Sequence, residues 1–192
     1  MAQTNRCEDR NVELRDLYDR DRQKLGVTIG REEQPPKDTY WMAVHICIIN
    51  RENQMLIQQR QTSKKTWPGF WDLSVGGGAI AGDNSRMAAE RETMEELGIA
   101  LNLTGKRPSF TANFYQGFDD VYVVEMDVDL DKLTLQEDEV AAVRWATREE
   151  ICHMIDEGTF IPYQKCAIDM IFQVREAKSG LLVREEYEPF VI

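Results

Sequence analysis

Hydrophobic and polar residues alternate with two different periods along the chain, and these periods predict where strands and helices lie. Period-two alternation from residue 12, a polar turn at 19–22 and an extended stretch from residue 24 predict an N-terminal β-hairpin over about residues 11–31. Pro35-Pro36 then breaks the chain. Further strands are predicted at residues 40–49, 54–59, 71–75, 100–103, 106–114, 121–128 and 143–145.

Three segments are predicted to form helices, and the last of them places its apolar residues at helical spacing. The first helix is bounded by Asn84, a residue type that caps helix N-termini, and by Gly98, which suits a left-handed C-terminal position. A capping box at residues 147–150 begins the second helix. The third begins after Pro162 and is predicted to end at residues 179–180. This order of elements predicts an α/β fold with a mixed sheet between helices.

The composition indicates a single domain in a reducing compartment. The chain of 192 residues predicts one domain over residues 11–178, between a flexible tail at 1–10 and a C-terminal tail at 179–192. Its apolar runs are too short to span a bilayer, and residues 1–30 lack the apolar core of a secretory signal. Four scattered cysteines and two histidines predict neither a disulfide framework nor a zinc site. We therefore expect a cytoplasmic protein without a membrane partner.

The charge distribution narrows the class of ligand. A formal net charge of −11 argues against binding of a nucleic-acid polymer through the general surface, but a divalent cation would still allow a small phosphate-bearing substrate. Arg60, Lys64 and Lys65 form a basic cluster in this acidic chain. They could bind a diphosphate, with Arg60 contacting two oxygens at once. An ordinary solvated loop is an equally good interpretation of these three side chains.

Residues 77–99 combine a glycine-rich turn with a helix that carries Glu92, Glu95 and Glu96. At about 3.6 residues per turn, the three side chains fall within an arc of roughly 100°. Carboxylates so close together repel one another and resist ionisation unless a cation lies among them. This arrangement predicts a divalent metal site, whereas a solvated acidic helix is the alternative for a charge run by itself.

The same segment resembles the signature of the Nudix (MutT-like) family, in which glycines, an arginine and several glutamates recur at fixed spacing. The matching residues are Gly77, Arg91, Glu92, Glu95, Glu96, Gly98 and Ile99. Asp83 stands where the family has Glu, and Thr93 replaces an apolar residue. The resemblance covers about residues 12–178 and implies the Nudix α/β/α sandwich. It also implies hydrolysis of the pyrophosphate bond in a nucleoside diphosphate linked to another moiety X, or in a similar diphosphate.

The resemblance further implies which residues would hold a metal ion and act on the substrate. Mg²⁺ or Mn²⁺ would be bound by Glu92, Glu95, Glu96 and the Gly76 carbonyl, all oxygen ligands that suit hard cations. Glu92 is one candidate for the general base. Glu139 is the other, although it also fits a solvated acidic turn. The number of metal ions stays open.

Other positions in the signature are expected to shape the site. Arg91 would orient the carboxylates, and Asp83 would position Arg91. Gly77 and Gly98 would have structural roles at the two ends of the segment. An N-terminal hairpin often joins subunits in this family, so the resemblance also implies a possible homodimer.

The segment around the basic cluster resembles isopentenyl diphosphate isomerase, a relative of the Nudix hydrolases. Arg60 and Lys64 match residues that bind the diphosphate in that enzyme. The catalytic cysteine of the isomerase falls on Gly76, and two of its metal-binding histidines fall on Gly78 and Trp41. The resemblance therefore implies a hydrolase with an isomerase-like recognition loop. The alternatives are isomerase-like activity and a non-catalytic module that binds a nucleotide or diphosphate.

Overall fold

The computed structural model describes residues 13–175, in which nine strands, three α-helices and a short 3-10 helix follow one another. The strands are β1 Leu14–Tyr18, β2 Lys24–Gly30, β3 Trp41–Ile49, β4 Met55–Arg60, β5 Trp71–Asp72, β6 Val75–Gly78, β7 Phe110–Phe114, β8 Gly117–Glu125 and β9 Val140–Ala146. The helices are α1 Ser85–Leu97, α2 Arg148–Asp156 and α3 Lys165–Val174, with the 3-10 helix at Leu130–Lys132. The predicted tails at 1–10 and 179–192, and the predicted helix end at 179–180, lie outside the described residues.

Seven of the strands form one mixed sheet around β3. Strand β3 runs parallel to β8 and antiparallel to β6, and β7 extends the sheet beside β8. Strand β4 pairs with β5 and β9 and meets β3 only where Ile49 lies opposite Met55. The predicted mixed sheet is therefore confirmed.

Two hydrophobic cores lie on opposite faces of this sheet. Because successive side chains of a strand point to opposite faces, β3 contributes to both. Ile46 and Ile48 are buried on the face covered by α1, whereas Cys47 and Ile49 are buried on the face covered by α2 and α3. This layering confirms the expected α/β/α sandwich. None of the helices between residues 13 and 175 is long and apolar enough to cross a membrane.

Some predicted strands differ from the observed ones. Residues 100–103 form no strand, although Leu101 and Leu103 are buried in the core on the α1 side. Their alternation reflects a loop that packs one side against the core. The predicted strand at 71–75 is divided into β5 and β6, because Ser74 turns its side chain into the space where β3 and β4 diverge.

The predicted N-terminal hairpin is confirmed as the antiparallel pair β1 and β2. Its backbone joins the sheet through reciprocal hydrogen bonds of 2.8 and 2.9 Å between Tyr18 and Tyr40. Its turn is held by Arg22, which lies 2.7 Å from the buried carboxylate of Asp120. The Ala81 N–H donates to the Leu14 carbonyl at 2.8 Å, so β1 also contacts the loop that precedes α1. The hairpin therefore forms a fixed wall beside that loop.

Ser74 is predicted to hold β3 and β4 together where their direct pairing ends. Its buried hydroxyl accepts from the Ile48 N–H at 2.8 Å and donates to the Leu56 carbonyl at 2.5 Å. Ser74→Ala should lower the free energy of unfolding by about 2–4 kcal/mol, since each buried group left unpaired costs about 1–3 kcal/mol. Denaturant unfolding measures the change. The exposed Ser63→Ala is the control, and equal stability of the two variants would contradict this account.

Candidate active site

A cavity of about 390 Å³ lies between the hairpin, the end of β4, strand β6 and one face of α1. The residues of the predicted metal site line this cavity and are called the acidic wall: Gly76, Arg91, Glu92, Glu95 and Glu96. The cavity is also lined by Arg60, Lys64 and Glu139. The fold thus brings together residues that are up to 79 positions apart in the sequence, as Arg60 and Glu139 are.

Helix α1 positions the glutamates through the two caps that its sequence predicts. The Asn84 side chain accepts from the Met87 N–H at 3.0 Å, and Gly98 closes the helix in the left-handed conformation with φ 69°. A Cβ atom at Gly98 would lie 2.9 Å from the Thr134 Cβ, so a side chain would also be crowded there. The caps therefore fix both ends of α1.

Glu96 is the most deeply buried carboxylate of the cavity, with 5% of its surface exposed. Gln58 on β4 donates from Nε2 to Glu96 Oε2 at 2.9 Å, while the buried Gln58 Oε1 has no hydrogen-bond partner. Burial raises the pKa of Glu96 to about 8. A carboxylate in this position gains either a proton or a nearby cation, and an orphaned buried oxygen adds to the demand for positive charge.

Glu92 lies directly beneath the glycine strand β6. A Cβ atom at Gly77 would be 2.1 Å from Glu92 Cδ and 2.2 Å from its Oε1, so only glycine leaves room for this carboxylate. Glu92 is 8% exposed, and burial raises its pKa. The sequence analysis predicts a structural role for Gly77. The geometry gives the specific reason, because a glycine at this position leaves space for the buried side chain of Glu92.

Arg91 lies at the centre of the acidic wall. Its guanidinium contacts Asp83 at 3.2 Å, Glu92 at 3.1 Å and Glu95 at 2.8 Å, and donates to the Gly78 carbonyl at 3.0 Å. Burial lowers the pKa of Arg91, but the surrounding carboxylates outweigh it and raise the pKa overall. Asp83, one methylene shorter than the family glutamate, therefore still reaches Arg91. The contacts are those that a positioning role for Arg91 requires.

The cavity also contains Arg60 and Lys64, two of the cations that the sequence analysis identified. Arg60 donates to the Thr66 carbonyl at 3.1 Å and lies 3.6 Å from Asp72. Lys64 forms an ion pair with Glu139, the alternative candidate for the general base. Two potential phosphate-binding groups thus line the same cavity as the glutamates of α1.

Lys65, the third predicted cation, does not line this cavity. Its ammonium group lies 2.6 Å from Glu32, and both side chains are largely exposed. Lys65 instead borders a neighbouring cavity of about 630 Å³. Its predicted contact with a diphosphate in the first cavity is therefore less direct than those of Arg60 and Lys64.

Three residues at or next to the site are not predicted by the sequence analysis: Glu13 and Arg31 at the hairpin, and Gln58 on β4. Glu13 and Arg31 flank the hairpin and line the cavity, paired with each other at 2.6 Å. They reach the site only because the hairpin folds over it, and no local pattern indicates this. Gln58 gave a usable signal, because it is a polar residue within the buried run of β4.

The residues of the acidic wall suit a divalent cation chemically, although they do not surround one point in this arrangement. Within residues 13–175, no three His, Cys, Asp or Glu side chains are already grouped as metal ligands. Glu92 and Glu95 are bonded to Arg91, and Glu96 to Gln58. The donors are nevertheless all oxygens, the type that Mg²⁺ and Mn²⁺ prefer. A bound cation would compete with Arg91 and Gln58 for these oxygens.

The chain is similar to known proteins over most of its length. The family model described as NUDIX domain matches residues 39–165. A Listeria monocytogenes protein described as an uncharacterised Nudix hydrolase is 42% identical over 162 residues, which cover 84% of this chain and 95% of the relative. An isopentenyl-diphosphate Delta-isomerase of Citrobacter koseri is 29% identical over 154 residues, covering 75% of this chain and 80% of the relative.

The fold has a counterpart among solved structures. A crystal structure of a Deinococcus radiodurans protein has a TM-score of 0.65 at 24% sequence identity, covering 86% of this chain and 99% of that chain. At this identity the likeness concerns the fold alone.

Gly77 and Gly78, two neighbouring glycines of β6, provide a matched test of the acidic wall. Gly77→Ala should weaken Mn²⁺ binding about 10–100-fold, the effect expected when support for metal ligands is disturbed, because its Cβ would displace Glu92. Gly78→Ala is the control, since its Cβ would lie 3.5 Å from the nearest atom, Arg15 Nε, at ordinary contact distance. Calorimetric titration with Mn²⁺ measures both affinities. Equal affinities would show that the space beneath Gly77 has no bearing on metal binding.

Proposed function

The chain belongs to the Nudix family of hydrolases, and on this premise we propose that it uses Mg²⁺ or Mn²⁺ to hydrolyse a small diphosphate. The bond cleaved is the pyrophosphate bond of a nucleoside diphosphate linked to another moiety X, or of a similar diphosphate. One observation carries the proposal: the three glutamates of α1 share a cavity with Arg60 and Lys64. A cavity lined by both carboxylates and cations suits a metal-bound diphosphate.

Glu92, Glu95, Glu96 and the Gly76 carbonyl are the groups that would hold the cation. When bound, a divalent cation neutralises phosphate oxygens and lowers the pKa of water. The raised pKa values of Glu92 and Glu96 support this assignment, because both carboxylates are buried without enough positive charge of their own. Arg91 would keep the carboxylates oriented through its contacts along α1.

Arg60 and Lys64 would orient the substrate. Arg60 presents a planar guanidinium that can contact two phosphate oxygens, and Lys64 adds a point charge beside it. A phosphate group that binds Lys64 would compete with Glu139 for the ammonium. Glu139 would then be available to accept a proton from the attacking water, whereas Glu92 is the alternative base from the acidic wall.

The proposed setting follows from charge and surface features. We propose a cytoplasmic protein without a nucleic-acid polymer as partner, because the net charge of −11 repels phosphate backbones and Cys47, Cys152 and Cys166 are free thiols.

We also propose that two copies of the protein form a homodimer through the hairpin. Leu25 and Val27 on β2 are 44% and 53% exposed and would lie in the interface between the two copies. Sedimentation equilibrium measures whether the protein is a dimer.

The rival function is isomerisation of isopentenyl diphosphate, which the isomerase relative favours. Gly76 offers no thiol at the position of the isomerase cysteine. The guanidinium of Arg15 lies 4.2 Å from the Trp41 ring and beside Gly78, the two positions where the isomerase resemblance expects metal-binding histidines. Incubation with isopentenyl diphosphate and Mg²⁺ in deuterated water should therefore give no deuterated isomer by mass spectrometry. A deuterated product would establish the rival function.

Removing one negative charge from the acidic wall tests the proposed hydrolysis. Glu96→Gln should lower the turnover number about 10²–10³-fold, the scale on which loss of one electrostatic contact acts, while the fold stays intact. A buried neutral amide costs less desolvation than a buried carboxylate, so the free energy of unfolding should not fall. Phosphorus NMR with a panel of nucleoside diphosphate sugars, dinucleotides and prenyl diphosphates measures turnover.

Glu90→Gln provides the control on the same helix. Glu90 accepts from the Leu103 N–H at 2.7 Å and does not line the cavity, and a glutamine can keep this hydrogen bond. Its activity should match that of the unaltered protein. Near-normal turnover of Glu96→Gln would remove Glu96 from the catalytic machinery, and binding without turnover of any diphosphate would favour a non-catalytic module.

A further inference from the structure

A second cavity of about 630 Å³ adjoins the proposed active site. The two cavities share Arg31, Arg60, Lys64 and Glu139 as a common wall. Since this wall contains the two cations proposed to bind the diphosphate, a substrate held there has room to extend its moiety X into the second cavity. The residues of the second cavity would then contact X.

Arg15 is an unusual residue in that second cavity. Its guanidinium lies 4.2 Å from the centre of the Trp41 ring, and its Nε and Nη2 atoms lie 3.5 and 3.6 Å from the Cβ position of Gly78. Among the lysines and arginines of residues 13–175, it alone is not exposed and makes neither a hydrogen bond nor an ion pair. By contrast, Arg31 is paired with Glu13, and Lys65 with Glu32.

The stack on Trp41 does not account for the polar part of Arg15. A cation over an aromatic ring uses the face of the guanidinium and leaves its in-plane N–H donors without acceptors. Donors that are half-buried and unpaired carry a desolvation cost. Burial and the like charge of Arg31 lower the pKa of Arg15, although the charges of Glu13 and Glu32 act in the opposite direction, so the guanidinium is incompletely compensated where it lies.

We propose that Arg15 binds an anionic group carried by moiety X, so that the substrate has a phosphate monoester or a carboxylate in addition to its diphosphate. This inference rests on the proposed function, because it assumes a diphosphate held by Arg60 and Lys64. An arginine held flat against Trp41 presents a fixed fork to two oxygens of such a group. Arg15 is thus a specificity-determining residue of the second cavity.

Three matched pairs of diphosphates test the proposal, each pair differing in one acidic group. Coenzyme A is compared with dephospho-coenzyme A, NADPH with NADH, and UDP-glucuronate with UDP-glucose. For at least one pair, kcat/KM should favour the acidic member about 10–100-fold, the range expected for a charge-assisted hydrogen bond. Preference in the first two pairs identifies a phosphate monoester, and preference in the third identifies a carboxylate.

Substitution of Arg15 assigns this preference to a residue. Arg15→Met keeps an apolar stem on Trp41 and should reduce the kcat/KM ratio of the preferred pair to about one. Arg20→Met is the control, because Arg20 is exposed at the hairpin turn and borders neither cavity. A ratio of one for all three pairs in the unaltered protein, or a preference that survives Arg15→Met, would overturn the proposal.

A binding measurement separates failure of this inference from failure of the proposed function. The indole N–H resonance of Trp41, identified by Trp41→Phe, is followed by NMR as inorganic phosphate is added to the metal-free protein. The shift should saturate in the unaltered protein and be absent in Arg15→Met, with chloride at equal ionic strength as the control. The same linear response to phosphate and chloride would overturn the Arg15 site. Absence of hydrolysis of all six compounds, beside a saturable phosphate shift, would contradict the proposed function alone.

Discussion

The structure depends on keeping two carboxylates of α1 in the interior of the protein. Glu92 fits only because Gly77 has no side chain, and Glu96 is held by Gln58 from the neighbouring strand β4. Burial disfavours the charged form of both groups, and Arg91 supplies only part of the compensating charge. The fold thus buries two carboxylates with incomplete charge compensation in a cavity that Arg60 and Lys64 also line.

The N-terminal hairpin turns this acidic site into a cavity with two compartments. It is attached at its turn through Arg22 and Asp120, and its first strand contacts the loop before α1. Through these attachments, Arg31 lines both cavities and Arg15 lines the second one. The first cavity therefore contains both carboxylates and cations, a combination that suits a metal ion together with phosphate groups.

The sequence predicts the parts of the fold and site that are coded locally. Asn84 and Gly98 cap α1 as their residue types indicate, and the hairpin and mixed sheet follow from period and turn residues. Leu101 and Leu103 alternate like a strand but pack as a loop, because alternation reports burial on one side rather than hydrogen bonding. Arg15 and Arg31 reach the two cavities only through contacts between distant segments, and local patterns carry no information on these.

The central claim is that Glu92, Glu95 and Glu96 hold a divalent cation in the cavity that also contains Arg60 and Lys64, the residues proposed to bind the diphosphate. The most direct test is anomalous X-ray scattering from crystals of the protein soaked in Mn²⁺. The account predicts an anomalous peak among the carboxylate oxygens of these three residues, with the Glu95 side chain turned away from Arg91. Crystals that show no such peak, with Glu92 and Glu95 still bonded to Arg91 at saturating Mn²⁺, would contradict it.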